Sequence, residues 1–175
     1  MTTTDTAAPL RRFARHVKRA YSDGHDRPLL GYSAVLAAYT GLVGLAAVIG
    51  RARGARLPER FSAQDTILLC AATHKASRLL SKEAVTSPLR APFTRYEKAT
   101  GEAEINEAAR GNGAQHAVGE LLTCPFCLGV WVATGLTAGL VFAPRATRLV
   151  TTVLTAVAAS DTLQLTYDRA KQRLA

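Results

Sequence analysis

Two stretches of this 175-residue chain carry no charged side chain: Leu29–Gly50, with 22 residues, and Leu121–Ala143, with 23. At ~1.5 Å of helical rise per residue, either is long enough to cross a hydrocarbon core of roughly 30 Å. A water-soluble protein would have to bury both as all-apolar helices, which needs far more surrounding protein than this chain provides. Basic residues precede the first stretch, as in a secretory signal, but its apolar part exceeds the ~7–15 residues of a signal's core. An uncleaved anchor is the better reading.

Two weaker segments follow the same logic. Asp65–Leu80 is apolar only from Ile67 to Thr73, and His74, Lys75 and Arg78 occupy its second half. Long basic side chains near a helix end can reach the interface while their stems stay in lipid or against protein. Leu149–Leu165 is apolar except for Asp161. The sequence thus predicts an all-α, small polytopic membrane protein with about four spans, 29–50, 65–80, 121–143 and 149–165. The alternative for 65–80 is an interfacial or re-entrant helix. Residues 29–175 form one membrane domain, and 81–120 is its sizeable soluble loop.

Charge fixes the expected orientation. The net charge of +9, from 22 Lys and Arg against 13 Asp and Glu, suggests an anionic partner. The basic residues sit in blocks between apolar runs, which points to an anionic bilayer ahead of nucleic acid. Four spans put both termini on one side. With the N-terminus inside, 14 basic residues fall on inner segments and six on outer ones, before Lys75 and Arg78 are counted. That bias favours cytoplasmic N- and C-termini and a cytoplasmic 81–120 loop in the cell (inner) membrane. Arg51, Arg53, Arg56 and Arg60 after the first span count against it, and a non-crossing 65–80 would reverse everything that follows.

Ahead of the first span, residues 1–28 form a disordered start and a basic arm. Leu10, Phe13, Ala14, Val17 and Tyr21 share one helical face opposite the basic residues. Next to a span, that pattern suits a helix lying on anionic lipid. In the loop, Pro88 and Pro92 bracket an extended segment, Arg110–Gly113 marks a turn, and Tyr96–Asn106 fits a small hairpin or a short helix.

Three linked stretches, "ATHKASRLLSKEAVTSPLRAPFTRYE", "RGNG" and "GELLTCPFCLGVWVA", resemble a bacterial family catalogued as domain of unknown function 1360. The resemblance runs from about Asp65 to about Tyr167. It implies a small membrane protein, in a family that includes a sporulation-associated member, without an assigned biochemical activity. Family members commonly carry an aromatic residue between the two cysteines, which Phe126 matches. Cys70 matches no motif of the family.

Cys124-Pro125-Phe126-Cys127 is the main candidate for chemistry, and three readings stay open. Pro125 suits a first helical turn, so Thr123 or Cys124 caps the third span, and a thiol there feels the positive end of the helix dipole. A redox reading compares the pair with membrane thiol oxidoreductases. No βαβ pattern surrounds it, no second cysteine pair is present, and the charge count turns it toward the reducing cytoplasm. A metal reading takes C-P-F-C as half of a zinc site, completed by His74 and a further ligand such as Cys70, Asp161 or Glu120. In the third reading the thiols only pack, with Arg90 and Pro92-Phe93 resting on the helix start and Glu120 neutralising a basic residue.

Ionisable residues at membrane depth are functional candidates by default. Lys75, Arg78 and Asp161 are read first as a structural ion pair, Asp161 with Arg78 or Lys75. The leading functional expectation is a non-enzymatic membrane component that engages lipid headgroups or a protein partner, with a homo-oligomer possible and no cofactor required. The alternative is a thiol- or metal-dependent membrane oxidoreductase using Cys124 and Cys127. A transporter or channel would need an oligomer, because four short helices enclose little space.

Overall fold

The computed structural model describes residues 27–174 and, before them, residues 12, 13, 16, 17, 20 and 21, which are helical and exposed. Most of the basic arm read over 1–28 lies outside the described residues. The elements in order are α1 (Leu29–Ala52), α2 (Ala63–Lys82), a 3₁₀ turn (Ala84–Thr86), α3 (Ser87–Arg90), β1 (Thr94–Gly101), β2 (Glu104–Ala109), α4 (Gly113–Thr123), α5 (Pro125–Phe142) and α6 (Pro144–Leu174).

The four long helices run alternately up and down. Tyr32, near the start of α1, meets Glu120 of α4, and Gly50, near its end, meets Phe142 at the end of α5. α2 lies against both α5 and α6. Ser62 caps α2 by accepting from the Asp65 amide at 3.0 Å, satisfying an otherwise orphaned helix-start donor. The Asp65 carboxylate takes two bonds from Arg148, at 2.8 and 2.9 Å, and so ties the first turn of α2 to the first turn of α6. Further along the same interface the Thr155 hydroxyl donates to the Leu68 carbonyl at 3.1 Å.

Among the described residues three helices, α1, α5 and α6, are long and apolar enough to cross a membrane, and α2 is not one of them. α2 is a 20-residue helix, roughly 30 Å long, whose buried face is made of Asp65, Ala72, Ala76, Ser77 and Ser81. Small side chains there allow close approach of its neighbours.

Four expectations are corrected, the first being the extended segment between Pro88 and Pro92, which is helical through Arg90 in α3 and then a turn. The all-α reading fails at 94–109, where β1 and β2 form an antiparallel hairpin pairing Thr94 with Ala109 and Gly101 with Glu104. The single span over 121–143 is two helices with a break at Cys124. Its backbone is extended, at φ −103° and ψ 105°, as expected of a residue that precedes proline. Residues 113–123 therefore belong to α4, which packs on β2 and on the start of α1. The last helix is also longer than the 149–165 read from hydropathy: α6 has 31 residues.

The hairpin and α4 form a compact cap at the end of the bundle that holds Lys82. Gly119 makes this possible, since a Cβ there would stand 2.5 Å from the Phe93 carbonyl oxygen and 2.9 Å from Ala109 Cβ. Gly31 does the same where α1 crosses α4, with the Gly113 carbonyl oxygen 2.4 Å from where a Cβ would lie.

Candidate functional site

The cap is organised around Arg90, whose side chain is 1% exposed. Its five N–H donors meet five acceptors: Glu107 at 2.6 Å, the Leu80 carbonyl at 2.9 Å, Thr86 Oγ1 at 2.6 Å, the Glu83 carbonyl at 3.1 Å and Ser87 Oγ at 3.4 Å. Thr94 Oγ1 lies 3.1 Å from the same Glu107 oxygen. One guanidinium thus joins the end of α2, α3 and β2, and Thr94 of β1 shares its carboxylate partner. None of these five bonds goes to Cys124–Cys127. The contacts from that loop segment go to α4 instead, where Gln115 donates to the Pro92 carbonyl at 2.9 Å.

A second polar cluster lies where α2, α6 and the cap meet. Lys75 bonds Glu83 and sits 2.9 Å from Asp161 Oδ2. Arg78, three residues on, turns to the hairpin and holds both oxygens of Glu104 at 2.6 and 2.7 Å. Asp161 is thus the partner of Lys75, and Arg78 has an acidic partner of its own.

The third feature is a groove of about 560 Å³ between α1, α4 and α5. Cys124 and Cys127 line it, with Val35, Leu36 and Trp131. At its mouth Glu120 accepts from the Tyr32 hydroxyl at 2.5 Å and lies 3.5 Å from Arg27 and 3.6 Å from His116. At its floor the Tyr39 hydroxyl is 2.7 Å from Thr134 Oγ1, and the Tyr39 and Trp131 rings meet edge to face at 5.1 Å.

The structure brings Cys124 and Cys127 together and keeps the other proposed ligands apart. Cys124 Sγ accepts from the Cys127 amide at 3.2 Å, acting as the N-cap of α5. Cys70 and His74 share the exposed face of α2 with Ile67. No three His, Cys, Asp or Glu side chains converge on a metal-sized site among the described residues. Sequence reading passed over Arg27, Tyr32, Tyr39 and Trp131, because residues 88 or 95 positions apart, as in Tyr32–Glu120 and Tyr39–Thr134, carry no local signal of a shared groove.

The cap role of Cys124 has a measurable consequence. Cys124→Ser keeps an acceptor at the N-cap and is expected to change stability by less than about 0.5 kcal/mol, whereas Cys124→Ala should cost about 1 kcal/mol. Thermal unfolding in detergent measures the difference. Thiol titration and zinc analysis of the same samples separate capping from chemistry: a disulfide, or one zinc equivalent lost in both variants, would show that the thiols do more than cap.

A mostly helical chain with three helices apolar enough to span a membrane, one short hairpin and a groove between its first and third long helices defines the class. The chain belongs to the family described as "Protein of unknown function (DUF1360)", which matches residues 68–167, more than half its length. It is also 39% identical over 70 residues to the sporulation protein YjcA of Bacillus subtilis (strain 168). That alignment covers 38% of this chain and 59% of the Bacillus protein, less than two thirds of the relative's length. No solved structure matches the chain.

Proposed function

We propose that this is a four-span integral membrane protein of the bacterial cell membrane, with both termini and the hairpin cap on the cytoplasmic side. It is a non-enzymatic component that presents this cap and the basic arm to lipid headgroups or to a protein partner. One observation carries the reading. In the most apolar windows of α1, α5 and α6 only 6%, 11% and 6% of the residues are buried. Leu30, Leu36, Leu42, Leu45 and Val48 of α1 all face outward, while the most enclosed large side chain is Arg90. An apolar exterior of this extent is foreign to soluble monomers and suits a hydrocarbon solvent.

The polarity of α2 is compatible with a fourth crossing because α5 and α6 flank it. The side carrying the cap also carries most of the basic residues. The outward surface of β1, with Arg95, Tyr96 and Lys98 exposed, adds cationic groups on the side where an anionic leaflet would attract them.

A second reading rests on the two thiols lining the groove: thiol chemistry on a molecule bound there. The cysteine substitutions above distinguish it.

Topology tests the main proposal. Reporter fusions after Ala99 and at the C-terminus are expected to report the cytoplasm, and one after Ala55 the outside. Labelling of Ala55→Cys by an impermeant maleimide in a chain cleared of its native cysteines should agree. Ala99 and Ala55 on the same side would remove the crossing by α2 and with it the four-span arrangement.

A further inference from the structure

We propose that the groove between α1 and α5 holds one acyl chain of a phospholipid whose headgroup joins a phosphate to a primary ammonium, the phosphate on Arg27 and the ammonium on Glu120. The proposal rests on the membrane-spanning reading above.

Its dimensions select a lipid tail. Along α1 the groove is lined from Tyr32 to Tyr39, roughly 10 Å at ~1.5 Å per residue, with Arg27 beyond it at the mouth. Half of a hydrocarbon core of roughly 30 Å is one leaflet. The Tyr39–Thr134 hydrogen bond and the Tyr39–Trp131 contact close the floor. A spanning helix from a partner would need a channel as long as the whole core, and this one is shorter than a single leaflet. Leu36 and Val130 on its walls are exposed, so a chain can enter sideways from the leaflet. The volume of about 560 Å³ falls in the range of roughly 300–1,000 Å³ usual for small-molecule sites.

The mouth selects the headgroup. Glu120 makes one short bond, to Tyr32, and two longer contacts, while a carboxylate offers about four lone-pair sites. Its side chain is 32% exposed, and that of Arg27 is 51% exposed, so both retain bonding capacity toward the groove entrance. A cation and an anion 3.5 Å apart complement a zwitterion with its own charges a few bonds apart. A primary ammonium donates hydrogen bonds to Glu120, whereas a quaternary one has no N–H to give. A headgroup bearing only a phosphate would leave Glu120 facing a like charge.

Trp131, the only tryptophan, lines the groove and reports on it. The protein is reconstituted into vesicles containing acyl-brominated phosphatidylethanolamine, phosphatidylcholine or phosphatidylglycerol at equal mole fraction, and quenching of Trp131 is titrated. Phosphatidylethanolamine is expected to be preferred about tenfold over each of the others, the worth of one charge-assisted hydrogen bond. Glu120→Gln should reduce that preference to near unity. Val35→Phe, which fills the groove and leaves the mouth intact, should weaken quenching by all three lipids and so covers the case in which Glu120→Gln misfolds. Quenching that follows bulk mole fraction equally for all headgroups overturns the proposal. So does a Trp131 shielded from every brominated lipid in bilayer-integrated protein, which would mean that protein fills the groove. Protein stripped from the vesicles by carbonate would instead bring down the membrane-spanning reading beneath it.

Discussion

Replacing Arg90 with alanine is expected to detach the hairpin from the helices and to cost about 3–5 kcal/mol, the usual range for breaking one side of a buried ion pair. The substitution leaves Glu107, 5% exposed, without its cation and leaves the carbonyls of Leu80 and Glu83 without their Arg90 donor. Limited proteolysis reads the outcome directly: cleavage within 94–109 should accelerate by two orders of magnitude or more, while α5 and α6 stay resistant. Arg90→Lys should rescue poorly, because an ammonium has three donors against the guanidinium's five. Arg90→Met with Glu107→Leu removes both charges together and should recover a good part of the loss. Unchanged proteolysis in Arg90→Ala would mean that the cap is held by contacts other than this guanidinium.

Lys75→Met should have the second-largest effect. Lys75 is 12% exposed and faces two carboxylates, Glu83 and Asp161. Its loss sets two partly buried anions against each other, at about 3 kcal/mol, or a fall in melting temperature of about 6–12 °C for a chain of this length. Asp161→Asn should be much milder, about 1 kcal/mol or less, since Asp161 is 45% exposed and Lys75 keeps Glu83. Adding Asp161→Asn and Glu83→Gln to Lys75→Met should restore much of the melting temperature. Circular dichroism in detergent follows all four proteins. An Asp161→Asn protein as unstable as Lys75→Met would make Asp161 the centre of the cluster.

The long helices were legible because absence of charge over 22 or 23 residues is a property of composition and needs no partner to be recognised. The break at Cys124 escaped that criterion. Pro125 correctly signalled a helix start, but the uncharged run upstream gave no sign that residues 113–123 fold with the cap. The hairpin could not be chosen over a short helix at Tyr96–Asn106 because of its turn. Its connecting residues are Glu102 and Ala103, and Ala103 adopts φ +60°, a conformation for which sequence reading looks for Gly or Asn. The polar partners depended on that undecided element. Arg78 had only Asp161 in view until the hairpin supplied Glu104, and the acidic partner of Arg90, Glu107, comes from the same strand.

The ion pairs also carry a timetable. Arg90 and Glu107 are 17 residues apart and Arg78 and Glu104 are 26 apart, whereas Asp65 and Arg148 are separated by 83. Contacts close in sequence form with little loop-closure entropy and can be made while the chain is still being synthesised. The cap can therefore be complete before α5 leaves the ribosome, and on the membrane-spanning proposal it stays on the side where it was made. The Asp65–Arg148 clasp closes only once the start of α6 has been made, and Lys75–Asp161 follows it, so the pairings that fasten α2 to α6 are the late ones.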